Sequence, residues 1–471
     1  MHELVISSGR VALESGWAEC DVGIDGERIT TLASGLKGRR HIDASGHWVL
    51  PGGIDAHCHL DQPVWSGAPN ADDFVSGSMS AAFGGTTCIV PFGMPGPGHS
   101  SIAAYERALA CAAGRSFVDY ALHAVVTPGT GAHVAAQLAE LAARGVAAVK
   151  VYTTYEGFAV DDDLLLAVME SARACGMRVM VHAENDAAIR WARERLIERG
   201  QTQMRFHAVA HSELAEREAV HRVLAFAELT GAAVTIVHVS ASGSLGEIER
   251  ARHRGVDVLA ETCPQYVFLT RDDLDRPAQD AARFMFTPPP RTAESVEALW
   301  QGLETGAIDL WSSDHSPYFL ADKLGTAPEP GFHTTVSGVP GLETRLPLLF
   351  SDGLLEGRLS LQRYLDLTCR NAARAYGLAH RKGSIAPGFD ADIVVWDTAG
   401  TWAIHSATMQ SRVDFTPFEG RTVTGRPRTV LNRGLPLLVD GVWQDCPARG
   451  ASMQKGRPGR SHEPSGPGSN G

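Results

Sequence analysis

Residues 53–59, Gly53-Ile54-Asp55-Ala56-His57-Cys58-His59, bring two imidazoles together at the end of an apolar run. The run before them, His47-Trp48-Val49-Leu50-Pro51-Gly52-Gly53-Ile54, reads as a short buried strand closed by turn residues. Side chains on a strand repeat with period two, so His57 and His59 are expected on one side. Two neutral imidazoles facing one way suit a divalent metal. A lone His-x-His reads equally as surface or core histidines, so the rest of the chain decides its meaning.

Outward from this point the chain alternates short apolar runs with longer alanine- and leucine-rich segments, the rhythm of repeated βα units. Eight candidate strands follow from it. The first ends at His59. Next come Thr87-Cys88-Ile89-Val90-Pro91-Phe92 and Tyr120-Ala121-Leu122-His123-Ala124-Val125, then Ala147-Ala148-Val149-Lys150-Val151-Tyr152 and Arg178-Val179-Met180-Val181-His182. The last three are Val234-Thr235-Ile236-Val237-His238-Val239, Val256-Asp257-Val258-Leu259-Ala260-Glu261 and Ile308-Asp309-Leu310-Trp311-Ser312-Ser313-Asp314. The expected fold class is α/β, a (β/α)8 TIM-type barrel over residues 53–380. Residues 1–52 and 381–446 are instead rich in short strands, with Gly26 in a hairpin turn, and are expected to pair into one small β-sandwich. Residues 447–471, rich in Gly, Ser, Pro and Arg, read as a disordered tail.

Composition narrows the function. The 471 residues are 44% apolar and 20% charged, ordinary for a globular protein with a large core. A net charge of -12 argues against a nucleic-acid partner. The eight cysteines form no CxxC and no compact pattern, which reads as reduced thiols in a cytoplasmic enzyme. The N-terminus lacks signal-peptide character, and no apolar run is long enough to span a membrane.

The C-terminal ends of barrel strands converge on one face, where active sites form. His57 and His59 close the first strand, Lys150 lies in the fourth, His182 ends the fifth, His238 the sixth and Asp314 the eighth. Singly, each has an ordinary explanation: a hydrogen-bonded core histidine, a snorkelling lysine, a helix cap. Together at equivalent strand ends they predict a metal site. Lys150 is the instructive member, because an ammonium cannot ligate a cation and is repelled by one. It serves there only if neutral or altered. Carboxylation by carbon dioxide makes it an anionic carbamate whose two oxygens can bridge two metals.

From about Leu4 to about Gly441 the chain resembles the hydantoinase/dihydropyrimidinase family of the amidohydrolase superfamily. The matching segments are GGIDAHCH (52–59), ADDFVSGSMSAAFGGTT (71–87), VHAEN (181–185), ETCPQY (261–266) and SDHSP (313–317). They continue with SGVPGLETRLPLL (337–349), NAARAYGL (371–378), KGSIAPGFDADIVVWD (382–397) and DFTPFEGRTVTGRP (414–427). The resemblance implies an N-carboxylated Lys150 bridging two divalent ions, zinc in most of the family, with manganese or cobalt also compatible. His57, His59 and Asp314 would hold the more buried ion, His182 and His238 the more exposed one. It further implies hydrolysis of a cyclic amide or ureide by a hydroxide held between the metals. Tyr155 would donate a hydrogen bond to the developing oxyanion, and Asp314 would carry the proton to the leaving nitrogen. Without that likeness, Tyr155 reads as a packed aromatic at the barrel rim, and the loop after it, Glu156-Gly157-Phe158-Ala159-Val160, is a residue shorter than is usual in the family.

Substrate recognition departs from the family pattern. Ser-Pro-Pro-Leu-Arg becomes Thr287-Pro288-Pro289-Pro290-Arg291, and Asn-Gly becomes Ser337-Gly338. Trp65 and Phe158 lie in loops that could cover an exocyclic group or simply pack. Alternatives are an allantoinase, a cyclic imidase, or a dihydroorotase. The last is disfavoured because His59-Leu60-Asp61 places an acid where a carboxylate clamp is usual. A catalytically inactive scaffold relative is the reading of another class; such proteins lose the ligands that this chain retains. The resemblance also implies a homotetramer or homodimer.

Overall fold

A computed structural model describes residues 1–64, 67–96 and 98–453 of the chain. Eight parallel strand positions form a barrel. The first is Gly53–Asp55 and the second Thr86–Ile89, continued as Phe92–Gly93. The third is Asp119–Tyr120, continued as His123–Val125. Then follow Ala148–Tyr152, Arg178–His182, Val234–Ile236, Val258–Thr262 and Leu310–Trp311. Neighbours pair in sequence order and in parallel. The breaks in the second and third strands are bridged by Ala121 N–H to Ile89 O (3.0 Å) and His123 N–H to Pro91 O (2.9 Å). The ring closes between the eighth and first strands, where Asp314 N–H donates to His57 O (2.9 Å) and His59 N–H to His315 O (2.8 Å). The strands are buried on both faces, the inner face by one another and the outer by helices, so they read as continuous apolar runs without alternation.

The run from Trp48 to Asp55, expected as one strand, is two strands in two different sheets. Trp48–Pro51 pairs antiparallel with Ile393–Ala403, whereas Gly53–Asp55 enters the barrel beside Thr86–Ile89. The crossing point is Gly52. A Cβ there would lie 2.1 Å from Thr87 Oγ1, so only glycine lets the chain pass this close. His57 and His59 consequently sit on an extended segment beyond the strand rather than on it.

The strands from the two chain ends interleave. One sheet orders Arg28–Ala33, Asp21–Asp25, His2–Ser7 and Gly38–Asp43. The other runs through Val442–Trp443, Leu435–Val439, Thr422–Asn432, Ile393–Ala403, Trp48–Pro51, Arg10–Leu13 and Gly16–Glu19. Leu4, Ile6, Val22, Ile24, Val49, Ile393, Val395 and Leu431 fill the space between them. The fold is thus a TIM-type barrel with a small β-sandwich made from both ends.

Two features join these parts. Trp396 stacks on Phe350 with ring centroids 4.1 Å apart. Lys382 Nζ lies among the carboxylates of Asp119, Asp390 (2.9 Å) and Asp392 (2.5 Å), all buried. Part of the expected tail is ordered: Gly450 N–H donates to Ser116 O (2.8 Å), Ser452 pairs with Tyr120, and Met453 is buried. The apolar Met453 and the free backbone groups beside Asp119–Tyr120 outweigh the low-complexity composition there. Residues 454–471 of that tail lie outside the described residues. All eight cysteines are unpaired, and no described helix is long and apolar enough to cross a membrane.

Candidate active site

The C-terminal strand ends surround a cavity of about 470 Å³, and His57, His59, Lys150, Tyr155, Phe158, His182, His238, Thr287, Asp314 and Ser337 all line it. Trp65 lies outside the described residues. The polar residues singled out from strand ends therefore meet at one place.

His57 Nε2 and His59 Nε2 each lie 3.1 Å from the same oxygen, Asp314 Oδ1. These three side chains offer ligand atoms all within 4.8 Å of one another. Glu261 Oε1 accepts from His57 Nδ1 at 2.6 Å, which turns Nε2 toward Asp314 as the ring nitrogen that would meet a cation. Across the cavity the His182 and His238 rings approach to 4.4 Å. His182 Nε2 donates to Glu184 Oε2 at 2.8 Å, leaving Nδ1 free. Lys150, 1% exposed, sits between the two groups, with its Nζ 5.3 Å from the Phe92 ring and 5.2 Å from that of Tyr152.

Burial sets the protonation of this set. It pushes His59 and His182 down, and His238 well down, so that these rings are neutral donors at neutral pH. His57 differs: burial lowers it, but Glu261 and Asp314 carry it upward on balance. Asp314 is part-buried, and desolvation raises its carboxyl, yet His57 and His59 hold it well below the usual range. Burial brings the Lys150 amine down to about 8 against the pull of Glu261 and Asp314. A substantial neutral fraction follows, and the neutral amine is the form that reacts with carbon dioxide.

The donor set fits divalent cations. Lys150 Nζ and His238 Nδ1 are buried atoms without a hydrogen-bond partner among the described residues. Leaving such atoms unsatisfied is costly, and cation ligation through a carboxylated Lys150 would remove the cost. Imidazole nitrogens with carboxylate oxygens suit zinc, manganese or cobalt alike. A second group of carboxylates, Asp119, Asp390 and Asp392, is also spaced for a metal, but Lys382 already occupies its centre.

Three residues here have left-handed backbone: Tyr155 (φ 77°), His238 (φ 41°) and Asp314 (φ 47°). Such conformations cost about 1–3 kcal/mol each in residues other than glycine, and they cluster where function demands a particular side-chain direction. The Tyr155 hydroxyl is hydrogen-bonded to Thr287, but burial dominates and raises the phenol well above its usual value. Thr287 Oγ1 also donates to Ser337 Oγ at 3.0 Å. Phe158 packs against Tyr152, ring centroids 5.3 Å apart.

Reasoning from strand ends missed the residues that orient the ligands. Glu261 grips His57 from the seventh strand, one strand removed, and Ser312 Oγ donates to its second oxygen at 3.1 Å. Glu184 also accepts from His211 Nδ1 at 3.1 Å. Burial pushes Glu184 up, but His211 and His182 more than offset this and hold it well below the ordinary range. Asp55 Oδ1 accepts from Ser313 N–H at 3.1 Å, tying the first strand to the eighth. The available signal was an acid embedded in a buried apolar run, as in Leu259-Ala260-Glu261.

Comparison with known proteins agrees with this geometry. Residues 48–435 match the Amidohydrolase family. A D-hydantoinase of Rhizobium radiobacter is 37% identical over 451 residues, covering 95% of this chain and 98% of the relative. Among solved structures, a D-hydantoinase from a Bacillus sp. superposes with a TM-score of 0.92 at 34% identity, over 96% of this chain and 99% of the other. A dihydropyrimidinase from Brevibacillus agri also gives 0.92, at 33% identity over the same shares. With family match, near-complete coverage and barrel architecture in agreement, the chain belongs to the amidohydrolase family and, within it, to the hydantoinase/dihydropyrimidinase group.

Proposed function

We propose that this protein hydrolyses a cyclic amide or ureide ring, a hydantoin, dihydropyrimidine or related cyclic imide, in the 470 Å³ cavity. The observation that carries the reading is the unpartnered, fully buried Lys150 Nζ amid four histidines and Asp314. Carboxylated Lys150 would be shared by two divalent cations, His57, His59 and Asp314 holding one and His182 and His238 the other. Zinc is the first choice, with manganese or cobalt compatible. When bound, such cations acidify a water and withdraw charge from a carbonyl oxygen.

The protein's own groups do the rest. The elevated pKa of Tyr155 keeps its hydroxyl protonated, so Oη can donate to the carbonyl oxygen as charge grows there. Asp314 is held as a carboxylate, so its Oδ can accept the proton of the attacking water and pass it to the ring nitrogen that leaves. Thr287 and Ser337 form the wall that reads the ring edge, and Phe158, with Trp65, would cover an exocyclic group. The family likeness also supports a homotetramer or homodimer, and the eight unpaired cysteines support a reducing cytoplasm.

The test is a panel of dihydrouracil, hydantoin, 5-substituted hydantoins, allantoin, dihydroorotate and simple cyclic imides, with metal analysis of the fresh protein. Ring opening of at least one member with about two cations per chain is expected. No turnover after supplying metal and bicarbonate would overturn the proposal.

A further inference from the structure

Lys323 is a fully buried lysine with no carboxylate in contact among the described residues. It lies on the short helix Leu320–Leu324, behind the cavity wall. Its Nζ donates to Met285 O at 2.9 Å and, more closely, to Gly338 O. The Phe415 ring, 5.2 Å away, faces the same ammonium. A lysine taken wholly out of water without a counter-charge is expensive. Burial alone pushes it down to about 7. A neutral amine still keeps two N–H donors, one for each carbonyl, so both bonds survive its deprotonation.

The two carbonyls belong to the two segments that form the ring-reading wall. Met285 is followed by Phe286 and Thr287, and Gly338 follows Ser337; Phe286, Thr287, Ser337 and Gly338 all line the cavity. The segments also bond to each other, Gly338 N–H to Met285 O at 2.9 Å. Val336 N–H donates to Lys323 O at 3.0 Å, so backbone and side chain of one residue grip the same loop. Only glycine fits at 338: at φ 146°, a Cβ would come within 2.7 Å of Ser316 O and 2.8 Å of the Tyr318 ring. The separation of the two walls is thus held by the direct bond from Gly338 to Met285 and by the Lys323 amine behind it.

We infer that Lys323 is a positioning residue for substrate specificity, clamping the Thr287 and Ser337 segments at the spacing that fits one class of planar ring. This rests on the ring-opening reading above and adds a residue remote from the cation ligands. Because it touches neither ligands nor reacting atoms, its loss acts chiefly on ring binding, and it reaches the chemical step to a smaller extent only through the Thr287 bond to the Tyr155 hydroxyl.

The experiment is Lys323→Met in the full chain, with Lys323→Gln, which can donate to one carbonyl, as the graded variant. For Lys323→Met the KM for hydantoin should rise at least tenfold, with kcat within threefold and bound cation unchanged. Lys323→Gln should fall between it and the wild type. Amide exchange over residues 336–339 should accelerate at least tenfold, while the helix Asp186–Glu198 keeps its protection. If Lys323→Met does not fold, Lys323→Gln carries the test with the same signs. KM and exchange both within twofold of wild type would overturn the inference. So would a fall in kcat and cation content together, which marks a merely structural role. If the wild type opens no ring, the ring-opening reading fails, and exchange over residues 336–339 still decides whether Lys323 clamps the wall.

Discussion

Replacing Glu261 by glutamine tests how the cation ligands are oriented. The side chain keeps its shape and loses its charge. Its amide oxygen can still accept from His57 Nδ1, now at 2.6 Å from carboxylate Oε1. The amide NH2 must then face Ser312 Oγ, which turns from donor to acceptor, so the contact between the two side chains survives. What remains is the change from a charge-assisted to a neutral hydrogen bond, about 1.5–3 against about 0.5–1.5 kcal/mol. The difference of about 1–2 kcal/mol reduces the electron density that His57 Nε2 offers a cation. It corresponds to roughly 5–30-fold weaker binding, which overlaps the lower part of the roughly 10–100-fold range for groups that orient metal-ligating histidines. The assay is competition with a chromophoric chelator on folded protein, supported by elemental analysis. A dissociation constant within twofold of wild type, with unchanged unfolding temperature, would refute the argument that Glu261 works through His57.

Other outcomes follow from the same geometry. Tyr155→Phe should leave cation content unchanged and lower kcat about 10²–10³-fold, since one preorganised donor contributes about 3–4 kcal/mol; steady-state kinetics showing less than a fivefold loss would assign the phenol to packing. Lys150→Ala should abolish both activity and cation retention, with partial restoration by short carboxylic acids, and full activity in the variant would end the bridging-carbamate proposal. Asp72 is buried, yet bonds from His315, Arg412 N–H and Ser411 hold its carboxyl at about 2 against an ordinary 3.8. A lowered carboxylate stabilises the fold fully above the unfolded value and loses that contribution as pH falls through the folded one, so Asp72→Asn should cost about 2 kcal/mol at pH 7 and about half of that at pH 3. Urea unfolding at both values checks this, and a cost that does not change with pH would contradict it.

Much of the site was legible because barrel topology converts strand order into proximity. Once His57, Lys150, His182, His238 and Asp314 are assigned to strand ends, their meeting follows without knowledge of any loop. Less legible was where one strand stops and another begins. The apolar run at Trp48 to Asp55 carries no polarity change at Gly52, and its division depends on a close approach to Thr87 that periodicity cannot show. The orienting acids were hidden for a related reason. Glu261 and Glu184 earn their roles through contacts with residues distant in sequence or with ring nitrogens whose free side is set by tertiary structure. Left-handed backbone at Tyr155, His238 and Asp314 was equally invisible: His and Asp tolerate it better than most residues, but that preference is too weak to pick these positions from the chain's other His and Asp residues.

The interleaved sheet has a consequence for biosynthesis. Trp48–Pro51 must wait for Ile393–Ala403, roughly 340 residues later, before its free edge is covered. At ordinary translation speeds of about 5–20 residues per second, that edge stays open for roughly 20–70 s on the ribosome. Slowed synthesis lengthens this interval, and unpaired strand edges invite intermolecular association. Yield of native protein should therefore depend on chaperone supply during elongation more than on the stability of the finished barrel.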